Sequence, residues 1–342
     1  MQQHHRRRRG KQTEQGRQHE RPPELTRSKR GQQAGSVSPA SQRVSEQALA
    51  NTAPPDRNQP TCPLCGARVS GRVGRWNELA VWRCEGCQHS FVAPVPDPTQ
   101  LAAIYEAGYY EGSTQPTGFR NYAGLHDARI RMFGRHLDLI AKGGGAGRLL
   151  DVGCANGDFL VEARHRGWDV LGVDPSAART EVIAAGVPLV GTTVRDAAVA
   201  ERSLDVITFW DVLEHVSDPV EDLRSAKRLL KVGGLVVATV PDAGNVVANL
   251  SGRRWFGFRT TGEHLQFFSR QSLRKAMEEA GFRVISQHGV PWSCTLGFLG
   301  DRAGLYLGVP GLLMRRALER PRFKHQIVDV PLINQLALCV AD

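Results

Sequence analysis

Leu149-Leu150-Asp151-Val152-Gly153-Cys154-Ala155-Asn156-Gly157-Asp158-Phe159 begins as a short apolar run, passes through two glycines and leads into an amphipathic segment marked by Phe159, Leu160 and Ala163. That order of residue types predicts a buried strand, a tight loop and the start of a helix. Glycines at such a turn let the main chain approach a ligand closely, and the first N–H groups of the helix point into the crevice at the carboxyl end of the strand. Strands and helices alternate from Leu149 onward, so the expected fold class is α/β with a doubly wound parallel sheet.

The loop reads D-x-G-x-x-x-G, not the G-x-G-x-x-G of a dinucleotide site, which disfavours a nicotinamide oxidoreductase. A pyrophosphate over this loop would be repelled by Asp151. S-adenosylmethionine (SAM) has no phosphate and presents an ammonium and a sulfonium, which Asp151 favours directly or through water. A second apolar run, Trp168 to Val173, ends in Asp174 about 20 residues further on, where a ribose diol needs an acceptor. Either acid alone would be an ordinary loop residue. At two successive strand ends they point to a ribose-containing cofactor.

Further motifs follow: LDVITFWDVLEHVSDP from Leu204, LLKVGGLVVATVP from Leu229 and EHLQFFS from Glu263. Together with LLDVGCANGDF and VLGVD they resemble the class I SAM-dependent methyltransferases over residues 105–342. The likeness is to the broad bacterial branch that includes ubiquinone-type O-methyltransferases and tailoring enzymes for sugars and natural products. It implies a Rossmann-like seven-stranded sheet whose last strand is antiparallel. It also implies a cofactor-binding set of Asp151, Gly153, Cys154, Gly157, Asp174 and Asp211, and a small-molecule acceptor. In similar enzymes the segment Asp211 to Val216 borders both methionine and acceptor. The Ser251–Gly257 and Gly262–Ser269 stretches cover the acceptor side.

The formal charge of the 342 residues is +10, but residues 1–60 alone carry 12 Lys or Arg and 5 Asp or Glu, which leaves about +3 for the remainder. This tail has no Phe, Trp or Tyr, so it is expected to be disordered. Its Arg6–Arg9 run suits nucleic acid or anionic lipid, or is simply solvated. No stretch reaches the roughly 18 apolar residues of a spanning helix, and no apolar signal region follows the charged start; a cytoplasmic protein is expected.

Cys62-x-x-Cys65 and Cys84-x-x-Cys87, separated by 18 residues, have the spacing of a zinc ribbon. Four thiolates close a tetrahedral site and leave no position for water, so the Zn2+ should be structural. His89, just beyond, reads as a surface residue and not as a fifth ligand. The expected organisation is therefore a basic tail (1–60), a zinc-ribbon-like module (61–98) and a methyltransferase domain (99–342). By resemblance, Tyr105, Tyr109 and Tyr110 are candidate lid residues; ordinary packing is the alternative.

Helical periodicity predicts helices over 122–141, 176–185, 218–231 (closed by Gly233-Gly234) and 271–280. Strands are expected near 187–190, 204–210, 235–240, 282–287 and 333–341. His215 is placed at a helix start. For the adenine pocket, Asp196 stands where similar enzymes carry an acid slightly earlier, and backbone groups are the alternative. Residues 292–328 form an insertion, apolar on average and basic at its end. It reads as an interfacial segment for a membrane or lipid-linked substrate, or as a lid or dimer helix.

The reading is SAM-dependent methyl transfer, O-methylation favoured, to a sugar, polysaccharide, quinone or natural-product acceptor. In-line geometry in a water-poor pocket carries much of the rate. Where the acceptor must lose a proton, His264 is the first candidate base and His215 the second, with Glu263 orienting an imidazole; His264 could equally pin its loop. Two other readings stand. A sugar C-methyltransferase family shares the ribbon order and the E-H pair, but has a tyrosine where this chain has Thr261. A nucleic-acid-binding protein on a degenerate fold is disfavoured by the folded body's modest charge.

Overall fold

A computed structural model describes residues 59–97, 99–101, 123–143, 145–176 and 179–342. The basic tail and the three candidate lid tyrosines lie outside the described residues.

The chain enters through a small antiparallel meander, β1 (Arg72–Trp76), β2 (Leu79–Arg83) and β3 (Ser90–Val92), that carries the two cysteine knuckles. Helix α1 (His126–Ala141) follows, its buried stripe of Ala128, Met132, Phe133, Leu137 and Ile140 at helical spacing. The opening stretch then forms β4 (Arg148–Val152), a loop, and α2 (Asp158–His165). β5 (Asp169–Val173) and α3 (Arg179–Ala184) come next, then β6 (Leu204–Trp210) and α4 (Pro219–Leu229). Pro219 opens α4, and the Asp218 side chain accepts from Glu221 N–H at 3.0 Å, a well-formed start.

The expected glycine stop of α4 is not where the helix ends. Leu230 is already extended and pairs with Leu204, so β7 runs from Leu230 to Pro241 and takes in Gly233 and Gly234. Pairing with β6 outweighs the glycines as a terminator. After α5 (Val246–Ser251) comes the two-residue β8 (Gln266–Phe267), then α6 (Arg270–Glu279), capped reciprocally by Ser269 and Ser272. β9 (Phe282–Thr295) and β10 (Ile327–Ala341) are much longer than expected. They pair from Phe282–Ala341 out to Thr295–Ile327, so the insertion proper is the helical hairpin α7 (Leu296–Tyr306) and α8 (Gly308–Leu318) at their end. The two helices cross closely at Gly311, where a Cβ would stand 1.9 Å from the Ala303 carbonyl oxygen.

The main sheet has the order β5-β4-β6-β7-β10-β9, parallel from β5 to β7, with β10 antiparallel to both neighbours. The strand expected near 187–190 is reduced to a parallel bridge between Leu189 and Gly172 outside β5. Gly172 N–H donates to Pro188 O and Val190 N–H to Gly172 O, both at 2.9 Å, while Pro188 has no N–H to extend the ladder. With that bridge the sheet is the expected mixed seven-stranded, Rossmann-like one. Alternate residues serve its two faces: Leu150, Ile207 and Val236 join one buried cluster, Leu149, Val206 and Val237 the other.

The cysteine meander is not a separate bead. Its sheet has the order β1-β2-β3-β8, so the fourth strand comes from the EHLQFFS stretch, and Cys62, Cys84, Cys87 and Phe91 belong to the same cluster as Leu150 and Phe209.

Candidate active site and metal centre

At the carboxyl end of β4, Asp151 is buried and accepts a hydrogen bond from Thr208 Oγ1 at 2.6 Å, its register partner on β6. Burial holds this carboxyl well above the ordinary range; the Thr208 bond pulls it down and nearby Asp174 pushes it up again. Gly153 follows at φ +71°, its N–H on Val173 O at 2.8 Å, and a Cβ there would meet Val212 Cγ2 at 2.6 Å. Only glycine leaves this approach open. Gly157, at φ +83°, caps α2.

Asp174 ends β5, and its carboxylate is aimed by backbone: Oδ2 accepts from Ala155 N–H and Oδ1 from Ser176 N–H, each at 2.7 Å, with the Ser176 hydroxyl on the same oxygen. Asp174 and the loop before α2 are thus joined by hydrogen bonds, while Asp151 is held from β6. Cys154 is buried, and its sulfur lies in the core where a Cβ on Gly172 would fall 2.8 Å away.

Asp211 follows β6 at φ +54°. Its Oδ1 accepts from Thr239 Oγ1 at 2.9 Å and from Asn334 Nδ2 at 2.8 Å, and burial raises it to about 6. It ties its loop to β7 and β10. The Asp196 carboxylate closes the turn at Thr192 and Thr193, whose hydroxyls donate at 2.7 Å; its slight burial raises it, but these bonds hold it well below its usual range.

Residues 211–217 form a turn and not a helix start, since α4 begins only at Pro219. The turn buries Glu214, neither of whose carboxyl oxygens meets a hydrogen-bonding side chain or backbone group of another described residue. Burial, with Asp211 nearby, holds Glu214 well above its ordinary range. His215 Nδ1 lies 2.9 Å from the Glu263 carbonyl oxygen. A carbonyl only accepts, so Nδ1 carries the proton and Nε2 is the basic nitrogen. The main-chain carbonyl of Glu263 therefore orients the His215 imidazole. The His264 ring stands edge-on to His215 with centroids 4.7 Å apart. Burial lowers His215 to about 4 and, with His215 beside it, holds His264 well below its ordinary value. Both rings are neutral at physiological pH. One ligand atom each of Glu214, His215 and His264 lies within 4.8 Å of the others, a spacing that suits proton exchange or a divalent cation.

The four cysteines also converge. Cys62 and Cys87, and Cys65 and Cys84, stand with sulfurs 3.6 Å apart. Four sulfurs about 2.3 Å from a tetrahedral zinc are about 3.8 Å from one another, so the donor set fits the ion. His89, expected at the surface, is fully buried with Nε2 2.8 Å from Gln266 Oε1, because β3 must lie flat on β8 to complete the small sheet. Burial lowers it to about 4. Sequence reasoning missed Thr208, Thr239, Gln266 and Asn334. Each acts on a residue far along the chain, and no local spacing marks it.

A family profile described as a methyltransferase domain matches residues 125–287. The ubiquinone biosynthesis O-methyltransferase of Nitrobacter winogradskyi is 31% identical over 194 residues, covering 53% of this chain and 72% of that protein. The enzyme of the same name from Cereibacter sphaeroides is 30% identical over 166 residues, covering 44% and 67%. Among solved structures, a SAM-dependent methyltransferase from Archaeoglobus fulgidus matches 64% of this chain and all of its own, at 17% identity and a TM-score of 0.44. With the sheet and its strand-end acids, the profile and the two relatives place the chain: it belongs to the class I SAM-dependent methyltransferases.

Proposed function

We propose that the protein transfers a methyl group from SAM to a hydroxyl oxygen of a small-molecule acceptor, at the carboxyl edge of β4, β5 and β6. The observation that carries the reading is the pair of buried, neutral imidazoles of His215 and His264, with the Glu214 carboxyl close to both. The ubiquinone biosynthesis O-methyltransferases among its relatives support oxygen as the acceptor atom. Bound SAM supplies an electrophilic methyl group on a sulfonium. Asp151 meets its positive charge and gives up its proton in doing so; Asp174, its carboxylate held by Ala155 and Ser176, accepts from the ribose hydroxyls. Gly153 and Gly157 let the main chain pass under the ligand, with the Cys154 backbone between them, and Asp211 holds the adjoining loop. His264 takes the acceptor's proton, with His215 Nε2 beside it as the second base. The same trio of Glu214, His215 and His264 could hold a divalent cation against the acceptor oxygen, and activity that requires added metal beyond the ribbon's would favour that version.

Cys62, Cys65, Cys84 and Cys87 hold a structural zinc in this reading; the 3.6 Å sulfur separations support it. Residues 61–98 then form the ribbon and 99–342 the catalytic body. No helix among the described residues is long and apolar enough to cross a membrane. The α7–α8 hairpin nevertheless exposes Val309, Leu313, Leu307, Leu312 and Met314 at 71, 62, 57, 49 and 40%, ahead of exposed Arg316, Arg320, Arg322 and Lys324. An apolar edge flanked by cations fits the interface of an anionic bilayer. Flotation with anionic but not neutral vesicles is expected; protein left unbound by both contradicts this contact.

The central test is incubation with methyl-labelled SAM and a panel of phenolic, catecholic and sugar hydroxyl acceptors. Label on oxygen, reduced by His264→Gln, is the expected result. Transfer only to carbon or nitrogen would overturn the O-methylation reading.

A further inference from the structure

The hydrogen bonds that leave the cysteine ribbon converge on the loop that carries Glu263 and His264. At the tip of the β1–β2 hairpin, Asn77 Nδ2 donates to Thr261 O at 2.7 Å and to Arg259 O at 3.4 Å. On the far side of the loop, Val92 N–H donates to Leu265 O at 2.8 Å, and β3 pairs with β8 through Ser90–Phe267 and Phe91–Gln266. The ribbon thus grips the loop immediately before Gly262 and immediately after His264.

One of these grips starts at a zinc knuckle. Cys84 N–H donates to His89 O at 2.8 Å, which closes the knuckle turn over the buried histidine. His89 Nε2 meets Gln266 Oε1 at 2.8 Å, and Gln266 Nε2 donates to Val216 O at 3.0 Å and Ser217 O at 3.3 Å. Those two carbonyls accept only, so they fix which end of the amide faces His89. The main chain repeats the link: Leu265 N–H and Gln266 N–H both donate to Glu214 O, at 2.7 and 3.0 Å. Gln266 therefore stands between the knuckle and both turns that carry Glu214, His215 and His264. The ribbon's own strands span only five, five and three residues, so a cross-link at the four sulfurs would fix the knuckles more firmly than their pairing does.

We infer that the ribbon is a positioning element for the acceptor side of the active site: the ion held by its four cysteines fixes His89 and the Asn77 turn, and these, with Gln266, set the loops bearing His215 and His264. Gln266, His89 and Asn77 are positioning residues. The cofactor loop, held by the parallel sheet and by Asp174, keeps its form without the ribbon. The inference rests on the zinc reading above, and its test separates the two.

Zinc in the purified full-length chain is counted first; less than half an equivalent would refute the zinc reading. The ion is then removed with a chelator under reducing conditions, and amide hydrogen exchange is followed by segment, beside calorimetric titration with SAM. Exchange in 212–217 and 261–267 should rise at least about tenfold, while exchange in 149–158 and SAM affinity stay within about threefold. Two zinc-retaining variants carry the test independently. Asn77→Gly keeps the turn's positive φ but loses the Thr261 clamp, so exchange should rise at 261–264 only. Gln266→Met should loosen 212–217 and shift the ring NMR signals of both His215 and His264, which a merely stabilising residue would not do. Unchanged exchange at both loops after zinc removal, or unchanged exchange and ring signals in Gln266→Met, overturns the inference. So does an equal loss of protection in 149–158, because the ribbon would then support the whole fold and not the acceptor side.

Discussion

The proposed cofactor side draws its polar groups from one stretch, residues 148–176, and satisfies them within it or on the next strand: Asp174 by Ala155 and Ser176, Asp151 by Thr208. The proposed acceptor side is assembled from three stretches, 84–92, 211–217 and 261–268, and buries a Glu214 whose carboxyl oxygens no other described residue hydrogen-bonds, near two histidines held neutral. The first arrangement aims its carboxyls by hydrogen bonds from backbone and a neighbouring strand. The second uses burial to hold its carboxyl and its two imidazoles in their uncharged forms. A cofactor shared across a superfamily can be met by a local motif, whereas an acceptor is met by groups gathered from wherever the fold places them.

The sharpest way to break this contrast is His264→Gln. Turnover with the identified acceptor should fall about a hundredfold or more, while calorimetry shows SAM affinity unchanged. A parallel loss of both would mean that the two sides are not separable. On the other side, Gly153→Val places a β-branched residue at φ +71° with its Cβ 2.6 Å from Val212 Cγ2. SAM affinity should weaken about thirtyfold or more, from strain of about 2–3 kcal/mol, with the ribbon's zinc content intact.

Glu214 sharpens the contrast through pH. Its folded pKa is raised, so the native state holds a proton that the unfolded chain releases above about 4.3. Its contribution is therefore fully present below that pH and is lost as pH rises toward the folded pKa. Glu214→Gln removes the dependence. Denaturant titrations at pH 5 and pH 6 should show the variant gaining on the wild type over that unit, by at most about 1.4 kcal/mol; a constant difference would mean that Glu214 is ionised in the fold. The smallest effect concerns Asp151. If it is protonated until a cation binds, SAM binding near pH 6 releases a proton. The observed enthalpy should then vary with buffer ionisation enthalpy, and affinity should rise by at most about tenfold per pH unit.

The same contrast decides what could be read from the chain. The Leu149–Phe159 stretch and Asp174 were legible because strand, glycine turn, helix start and second acid follow one another within a single βαβ unit. The cysteine spacing was legible for the same reason. His89 was misjudged because its burial depends on Gln266, which pairs with it across 177 positions, and nothing in Cys84–His89 signals a fourth strand arriving from elsewhere. Asn334 bonds Asp211 across 123 positions, equally without local sign. The end of α4 was misplaced by a local rule: two glycines after a helical run usually stop it, but Leu230 found a strand partner in Leu204 first. The outward extension of β9 and β10 went unseen because apolar residues at 292–299 fit a helix or a strand equally.

The account stands on the cofactor site at the ends of β4 and β5, and calorimetric titration of the full chain with SAM tests it most directly, with Asp174→Ala beside the wild type. Loss of a buried, backbone-aimed acceptor should weaken binding by about 2 kcal/mol, about thirtyfold, from a micromolar wild-type affinity. No binding by the folded wild type, or an affinity that Asp174→Ala leaves unchanged, would contradict it.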